Sequence, residues 1–150
     1  MSRLAAREPA GQARAAVRST VWAVAVLGAS SLTAFTWILH TQLLRLGGLT
    51  APGWDLGQTQ QLLWSISTGR GWASSFEYGH NFLGLHMEPV LLAVAGVERF
   101  WPNPTVPLVF SAIGLAATAP AAFLMLRALI GARPAAGWLP LALAAPMPFW

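Results

Sequence analysis

The chain has 150 residues, of which 55% are hydrophobic and only 9% carry a charge. Soluble domains carry about 25% charged residues, so this composition excludes an ordinary soluble domain and indicates a membrane protein. The nine basic residues outnumber five acidic ones, but they are scattered around apolar runs instead of clustering on one face. That distribution excludes nucleic acid as a partner. The absence of cysteine excludes disulfides and thiolate metal sites.

The first apolar run predicts a transmembrane helix over residues 19–44, which contain no formally charged residue. As a helix, residues 21–39 alone extend about 28 Å, enough to cross the hydrocarbon core. Arginines concentrate in the tail formed by residues 1–18, which predicts a cytoplasmic N-terminus in the cell membrane. A cleaved signal peptide is the alternative, but the run is long for one and further apolar segments follow.

Residues 45–103 are predicted to form an extracytoplasmic loop that contains juxtamembrane amphipathic helices. The first helix, at about 55–68, has Asp55 as a candidate N-cap and Gly69 as a candidate C-cap. Its apolar residues gather on one side, which is typical of a helix lying on the membrane surface. The second, over 89–101, is apolar but ends at a charged pair and is short for a crossing. We expect it to be interfacial, with a full crossing as the alternative.

The last part of the chain predicts two further apolar helices. Residues 104–126 form a second full transmembrane helix, and residues 127–133 form a cytoplasmic loop because two arginines fall there. Residues 134–150 resemble a third transmembrane helix that is cut short. The fold class is therefore an all-α membrane protein with two full spans and one truncated span.

The acidic residue at the start of the first loop helix is the first candidate for chemistry. At the bilayer surface, the Asp55 carboxylate could deprotonate an acceptor hydroxyl or hold a divalent cation that neutralises a lipid-linked phosphate. The alternative is the helix-capping role, which needs an aspartate at the same place and no chemistry.

A second group of candidates precedes the second loop helix. His86 could contact a phosphate and Glu88 a cation or a hydroxyl, because Pro89 predicts a helix N-terminus there. Alternatively, Glu88 caps the helix and His86 is an ordinary polar residue. Glu77 and His80 could complete a metal site, but their spacing is a weak signal.

Four tryptophans lie in or beside the loop and allow two interpretations. They are Trp54, Trp64, Trp72 and Trp101. They could stack on sugar rings, or they could anchor the loop at the membrane interface, which is the more frequent use of tryptophan in membrane proteins.

Three strings in the loop carry a resemblance to a known family. They are WDLGQTQQLLW at 54–64, GRG at 69–71 and NFLGLHMEP at 81–89. The chain resembles, over about residues 21–131, the opening of a bacterial family of predicted multi-pass membrane proteins of unknown function. That family is similar to the GT-C superfamily of membrane glycosyltransferases.

The resemblance implies a GT-C-like N-terminal portion with a polyprenyl-phosphate sugar as donor. It implies that Asp55 is the catalytic acidic residue of the first outer loop. It also implies that Asn81, His86 and Pro89 belong to the loop signature near the substrate. Because the family's chains continue through many more spans, we expect this chain to be an N-terminal fragment. A non-catalytic membrane protein, such as a transporter or scaffold subunit, is the alternative.

Overall fold

The computed structural model describes residues 8–51, 53–84, 86, 88–130 and 143. These residues are mostly helical and contain no β-strand, apart from an isolated antiparallel bridge between Ala73 and Asn81. The α-helices among them are α1 (Glu8–Gly47), α2 (Gly53–Ser67), α3 (Leu91–Glu98), α4 (Thr105–Ala116) and α5 (Thr118–Ile130). The chain divides into two compact units, named here the terminal unit (residues 1–36 and 113–150) and the central unit (residues 37–112).

Two helical segments are long and apolar enough to cross a bilayer, namely Ala13–Gly47 and Thr105–Leu129. Only 11% and 22% of their most apolar windows are buried inside the protein. The core helix of a soluble domain would be mostly buried, so these side chains need an apolar solvent. The two full spans predicted at 19–44 and 104–126 fall on these segments. The third, predicted at 134–150, lies outside the described residues except for Leu143.

The second segment comprises α4 and α5, which meet at Ala117. The amide of Ala117 donates to the Ile113 carbonyl at 2.9 Å, and the amide of Ala121 donates to the Ala117 carbonyl at 3.0 Å. Pro120 lies in the first turn of α5, where the missing N–H of proline removes little helical bonding. The helical path therefore continues through the junction.

In the terminal unit, α1 packs against α5 through small and aromatic side chains. The buried residues are Ala23 and Leu27 on α1, with Ala119 and Phe123 on α5. Alanine at the contact allows the two helix backbones to approach closely, as is common between helices in a membrane. Most other apolar side chains of α1 are exposed, including Val21 and Leu32.

In the central unit, α2 and α3 pack together around a separate apolar core. Leu62 and Leu63 of α2 are buried against Leu91 and Val94 of α3. Val106, in the first turn of α4, joins the same core. This core holds the loop helices together without help from the terminal unit.

Helix α3 is shorter than the helix predicted over 89–101. Before Leu91 the chain winds with bonds between residues three apart, such as the Leu92 amide to the Pro89 carbonyl at 3.1 Å. These tighter turns delay the α-helix by two residues. At the other end, Pro102 disfavours helical backbone at Trp101, so the helix ends before that residue.

Helix α2 ends in a Schellman motif at Gly69. The Gly69 amide donates to the Ile66 carbonyl at 3.1 Å, and the Arg70 amide donates to the Ser65 carbonyl at 2.8 Å. Gly69 has a φ of 76°, a left-handed conformation in which a side chain is strained. The C-cap predicted from the sequence at Gly69 is therefore confirmed.

Candidate functional site

A groove of about 340 Å³ lies within the central unit, bordered by the end of α1 and the starts of α2 and α4. Its polar lining residues are Gln42 and Arg45 from α1, Asp55 and Thr59 from α2, and Ser111 from α4. Leu56, Pro107 and Leu108 supply much of the apolar lining. The groove thus combines one cationic group, one anionic group and hydrocarbon.

Asp55 lies in the first turn of α2 and its side chain is exposed. Because α2 begins at Gly53, Asp55 is not the N-cap that the sequence predicted, and it lies two residues further into the helix. A carboxylate in the first turn still interacts favourably with the helix dipole. Within the described part of the chain, the carboxylate has no hydrogen-bond or ion-pair partner, so it can meet a ligand.

Arg45 lies in the last turn of α1 and is also exposed. Among the described residues its guanidinium forms no ion pair with Asp55, although both side chains line the same groove. Arginine binds phosphate and carboxylate groups through two parallel hydrogen bonds. The groove is therefore lined by a guanidinium and a carboxylate that have no partner among the described residues.

A hydrogen bond joins α1 and α4, two of the helices that border the groove. The Gln42 side-chain amide donates to the Ser111 hydroxyl at 3.4 Å. The carbonyl oxygen of the same Gln42 amide is buried and has no partner among the described residues. An amide with one free acceptor can receive a hydrogen bond from a hydroxyl-bearing ligand.

Asn81, the first of the remaining predicted site residues, has a local structural role. Its amide oxygen accepts a hydrogen bond from the Leu83 amide at 3.0 Å and so begins the short 3₁₀ helix Phe82–Gly84. Asparagine often caps turns in this way. The oxygen is therefore already engaged, although the residue is exposed.

His86 and Glu88 are both exposed and lie between this 3₁₀ helix and α3. The His86 ring lies 5.2 Å from the Phe82 ring, measured between ring centres. The Glu88 carbonyl accepts a hydrogen bond from the Leu91 amide at 3.1 Å. Neither residue lines the groove that contains Asp55, so the structure does not bring these three candidates together.

A metal site built from the loop histidines is not formed by the described side chains. Among them, no three histidine or acidic residues come close enough to hold a metal ion. His80 is exposed, and the side chain of Glu77 lies outside the described part.

Sequence reasoning missed Gln42, Arg45 and Ser111 as members of a site. Arg45 carried a usable signal, because it is an arginine at the end of the first span that the sequence assigns to the outer face. Basic residues concentrate on the cytoplasmic side, so an arginine at the opposite end deserves a functional explanation. Gln42 and Ser111 lie within apolar runs and give no comparable signal.

The tryptophans of the loop have different surroundings. Trp54 meets the Phe76 ring edge-on with ring centres 5.0 Å apart, and Trp64 lies 4.2 Å beneath the Arg70 guanidinium. Trp72 packs on the apolar core of the central unit. Trp101 is 57% exposed. None of the four lines the groove.

Comparison with known families agrees with this membrane architecture. Residues 45–146, more than half of the chain, match the family described as "Predicted membrane protein (DUF2079)". The chain belongs to the DUF2079 family. As a DUF2079 member with two apolar helices of spanning length, it is a membrane protein. No curated protein and no solved structure matches the chain significantly.

Proposed function

We propose that this DUF2079 chain forms the N-terminal part of a GT-C-like glycosyltransferase that uses a polyprenyl-phosphate-linked sugar. One observation carries the proposal: Asp55 and Arg45, whose charged groups have no partner among the described residues, line one groove with leucine and proline side chains. A lipid-linked phosphate needs a cationic partner for its head and apolar walls for its chain. The loop strings resemble a family that is itself similar to the GT-C superfamily, and this resemblance supports the same substrate class.

In this reaction Asp55 acts as the general base. Its carboxylate takes the proton of an acceptor hydroxyl while the hydroxyl oxygen bonds to the anomeric carbon of the sugar. The bond between that carbon and the phosphate oxygen breaks, and the lipid phosphate leaves with the bonding electrons. Arg45 stabilises the charge that develops on this phosphate.

A divalent cation is the second way in which Asp55 could act. Asp55 is the sole carboxylate among the described lining residues, and Mg²⁺ is usually held by one or two carboxylates together with substrate phosphates. Asp55 would then hold the cation that neutralises the lipid-linked phosphate, whereas the steps given above use only the side chains of this protein.

Asn81, His86 and Glu88 are secondary candidates for contacts with the substrate. The exposed His86 and Glu88 side chains are available to a phosphate or a hydroxyl. For Asn81 only the amide nitrogen is available, because its oxygen is bonded to the Leu83 amide.

A non-catalytic membrane protein, such as a transporter or scaffold subunit, is the second candidate function. The position of Asp55 in the first turn of α2 favours it, because an acid there stabilises the helix without any chemistry. Under this alternative, replacing Asp55 changes the stability of α2. The protein then has no transfer activity that the substitution could reduce.

Transfer assays on membranes that contain the full-length protein separate the two functions. The donor is a radiolabelled polyprenyl-phosphate sugar, and the variants are Asp55→Asn, Asp55→Glu and the control Tyr78→Phe. Tyr78 is 94% exposed and lies outside the groove. We expect Asp55→Asn to reduce transfer at least 100-fold, on the order of the contribution of a general base. Equal rates for Asp55→Asn and the control contradict the proposal.

We also propose that the protein lies in the cell membrane with a cytoplasmic N-terminus, because four of its nine arginines precede the first span. The chain lacks cysteine, so single cysteines at Arg14 and Tyr78 provide clean labels. A membrane-impermeant thiol reagent applied to intact cells should label position 78 and not position 14. Labelling of position 14 alone would show that the protein has the opposite orientation in the membrane.

A further inference from the structure

Helix α1 ends in a Schellman motif whose left-handed position holds a leucine. The Leu49 amide donates to the Leu46 carbonyl at 3.2 Å, the Thr50 amide donates to the Arg45 carbonyl at 2.9 Å, and the φ of Leu49 is 55°. Helix α2 ends in the same motif with Gly69. A bulky residue at positive φ is strained. Tyr78, at φ 53°, shares this conformation but adjoins neither apolar segment, so position along the chain, and not strain, distinguishes the Leu49 side chain.

The Leu49 side chain is also 91% exposed, so the strain is not offset by packing in the described part of the chain. Two more large apolar residues are exposed just before α4. Phe100 is 87% exposed and Trp101 is 57% exposed. Water is an unfavourable solvent for apolar side chains of this size.

The Gln42–Ser111 hydrogen bond shows where the last turns of α1 contact the first turns of α4. Gln42 lies five residues before the end of α1, and Ser111 lies six residues after the start of α4. At 1.5 Å per residue, both helix ends lie about 8–9 Å beyond the hydrogen bond. Leu49 follows one end closely and Trp101 precedes the other.

We propose that Leu49, Phe100 and Trp101 form a lipid anchor that inserts at the boundary between acyl chains and headgroups. Lipid is the partner because Leu49 follows the apolar segment Ala13–Gly47 by two residues, and Trp101 precedes the segment Thr105–Leu129 by four. Aromatic residues are enriched at this boundary of the bilayer. The anchor fixes the central unit at the membrane surface, and it holds whether or not the groove catalyses glycosyl transfer.

Trp101 differs in its contacts from the other tryptophans that lie between α1 and α4. Trp54 is engaged with Phe76, Trp64 with Arg70, and Trp72 with the apolar core. Trp101 has no ring contact within the described residues. This difference provides a matched control, since Trp72 and Trp101 are the same residue type in the same unit.

Spin labelling of single cysteines tests the anchor. Leu49→Cys, Phe100→Cys and the control Tyr78→Cys are labelled with a nitroxide and reconstituted into phosphatidylethanolamine–phosphatidylglycerol vesicles. We expect labels at 49 and 100 to collide with oxygen at least threefold more than with a water-soluble nickel chelate. The label at 78 should favour the nickel chelate. Preference for the chelate at 49 and 100 overturns the anchor, and so does exclusion of both reagents, which indicates a protein partner.

Tryptophan fluorescence gives a second test that needs no label at a strained position. The parent, Trp101→Phe and Trp72→Phe proteins are reconstituted with lipids brominated near the headgroup end of the acyl chain. We expect Trp101→Phe to remove a measurable share of the quenching and Trp72→Phe to leave it unchanged. Equal quenching losses in the two variants contradict the proposal.

Discussion

Gln60 on α2 donates a hydrogen bond from its side-chain amide to a carboxyl oxygen of Glu98 on α3. Glu98 is only 2% exposed, at the end of a helix whose other buried residues are apolar. Its second carboxyl oxygen and the Gln60 amide oxygen are buried without a partner in the described part of the chain. This hydrogen bond is thus a polar contact in an interface whose buried residues are mostly apolar.

Removing the acceptor of the Gln60–Glu98 hydrogen bond should destabilise the central unit. In Glu98→Ala, the Gln60 amide loses its partner and a cavity replaces the side chain, so we expect a loss of about 2–3 kcal/mol. Glu98→Gln keeps an acceptor oxygen and should cost less than about 1 kcal/mol. Thermal unfolding in detergent measures both. Equal losses for the two variants contradict a role for the hydrogen bond.

Gln61 should hold the loop after α2 in place. Its amide oxygen accepts hydrogen bonds from the Ser74 hydroxyl at 3.0 Å and the Ser75 amide at 3.1 Å. Its amide nitrogen donates to the Ser75 hydroxyl at 2.6 Å. Because Ser74 is buried, we expect Gln61→Ala to cost about 2 kcal/mol through unpaired polar groups.

Hydrogen exchange gives the local measurement for Gln61→Ala. The amides of residues 73–77 should exchange at least tenfold faster, while those of α1 stay unchanged. Ser67→Ala is the control on the same helix, because among the described residues the Ser67 hydroxyl bonds only to the Trp64 carbonyl one turn away. Faster exchange throughout the protein in Gln61→Ala would indicate general unfolding instead of a released loop.

Two glycines should respond in opposite directions to alanine. Gly69 has left-handed φ, so Gly69→Ala should destabilise α2 by about 1 kcal/mol. Gly96 lies inside α3, and a methyl group there meets no atom within 4 Å, so Gly96→Ala should stabilise by up to about 1 kcal/mol. Neither substitution encounters a steric clash. Denaturant unfolding of the detergent-solubilised protein compares them, and shifts of the same sign refute the conformational explanation.

Arg45 should contribute to binding of a lipid phosphate in the groove. Arg45→Gln removes the cationic group, and we expect about tenfold weaker binding of a polyprenyl phosphate, equivalent to about 1.4 kcal/mol. Arg70→Gln is the matched control, because Arg70 lies over Trp64 and away from the groove. Titration of the ligand in detergent, followed by native mass spectrometry, measures both affinities. If Arg70→Gln weakens binding as much as Arg45→Gln does, the groove is not the phosphate site.

The sequence by itself determined that this protein lies in a lipid bilayer, and it determined much of the local structure. With 9% charged residues, the chain had to place its apolar surface in lipid. The two spanning segments, helix α2 and the cap at Gly69 follow from apolar runs and turn residues, because these signals act between neighbours in sequence. The same signals misplaced the start of α2 and of α3 by two residues, since the winding of a first turn depends on the packing of the chain before it.

Tertiary structure alone decided which side chains meet. Arg45 and Asp55 share one groove, Gln42 meets Ser111, and Gln60 meets Glu98, whereas His86 and Glu88 lie apart from Asp55. From the sequence, Glu98 marked only the charged end of an apolar run, and its burial came from the packing of α3 on α2. No local pattern encodes such contacts, because they join residues up to 69 positions apart and depend on how whole helices pack.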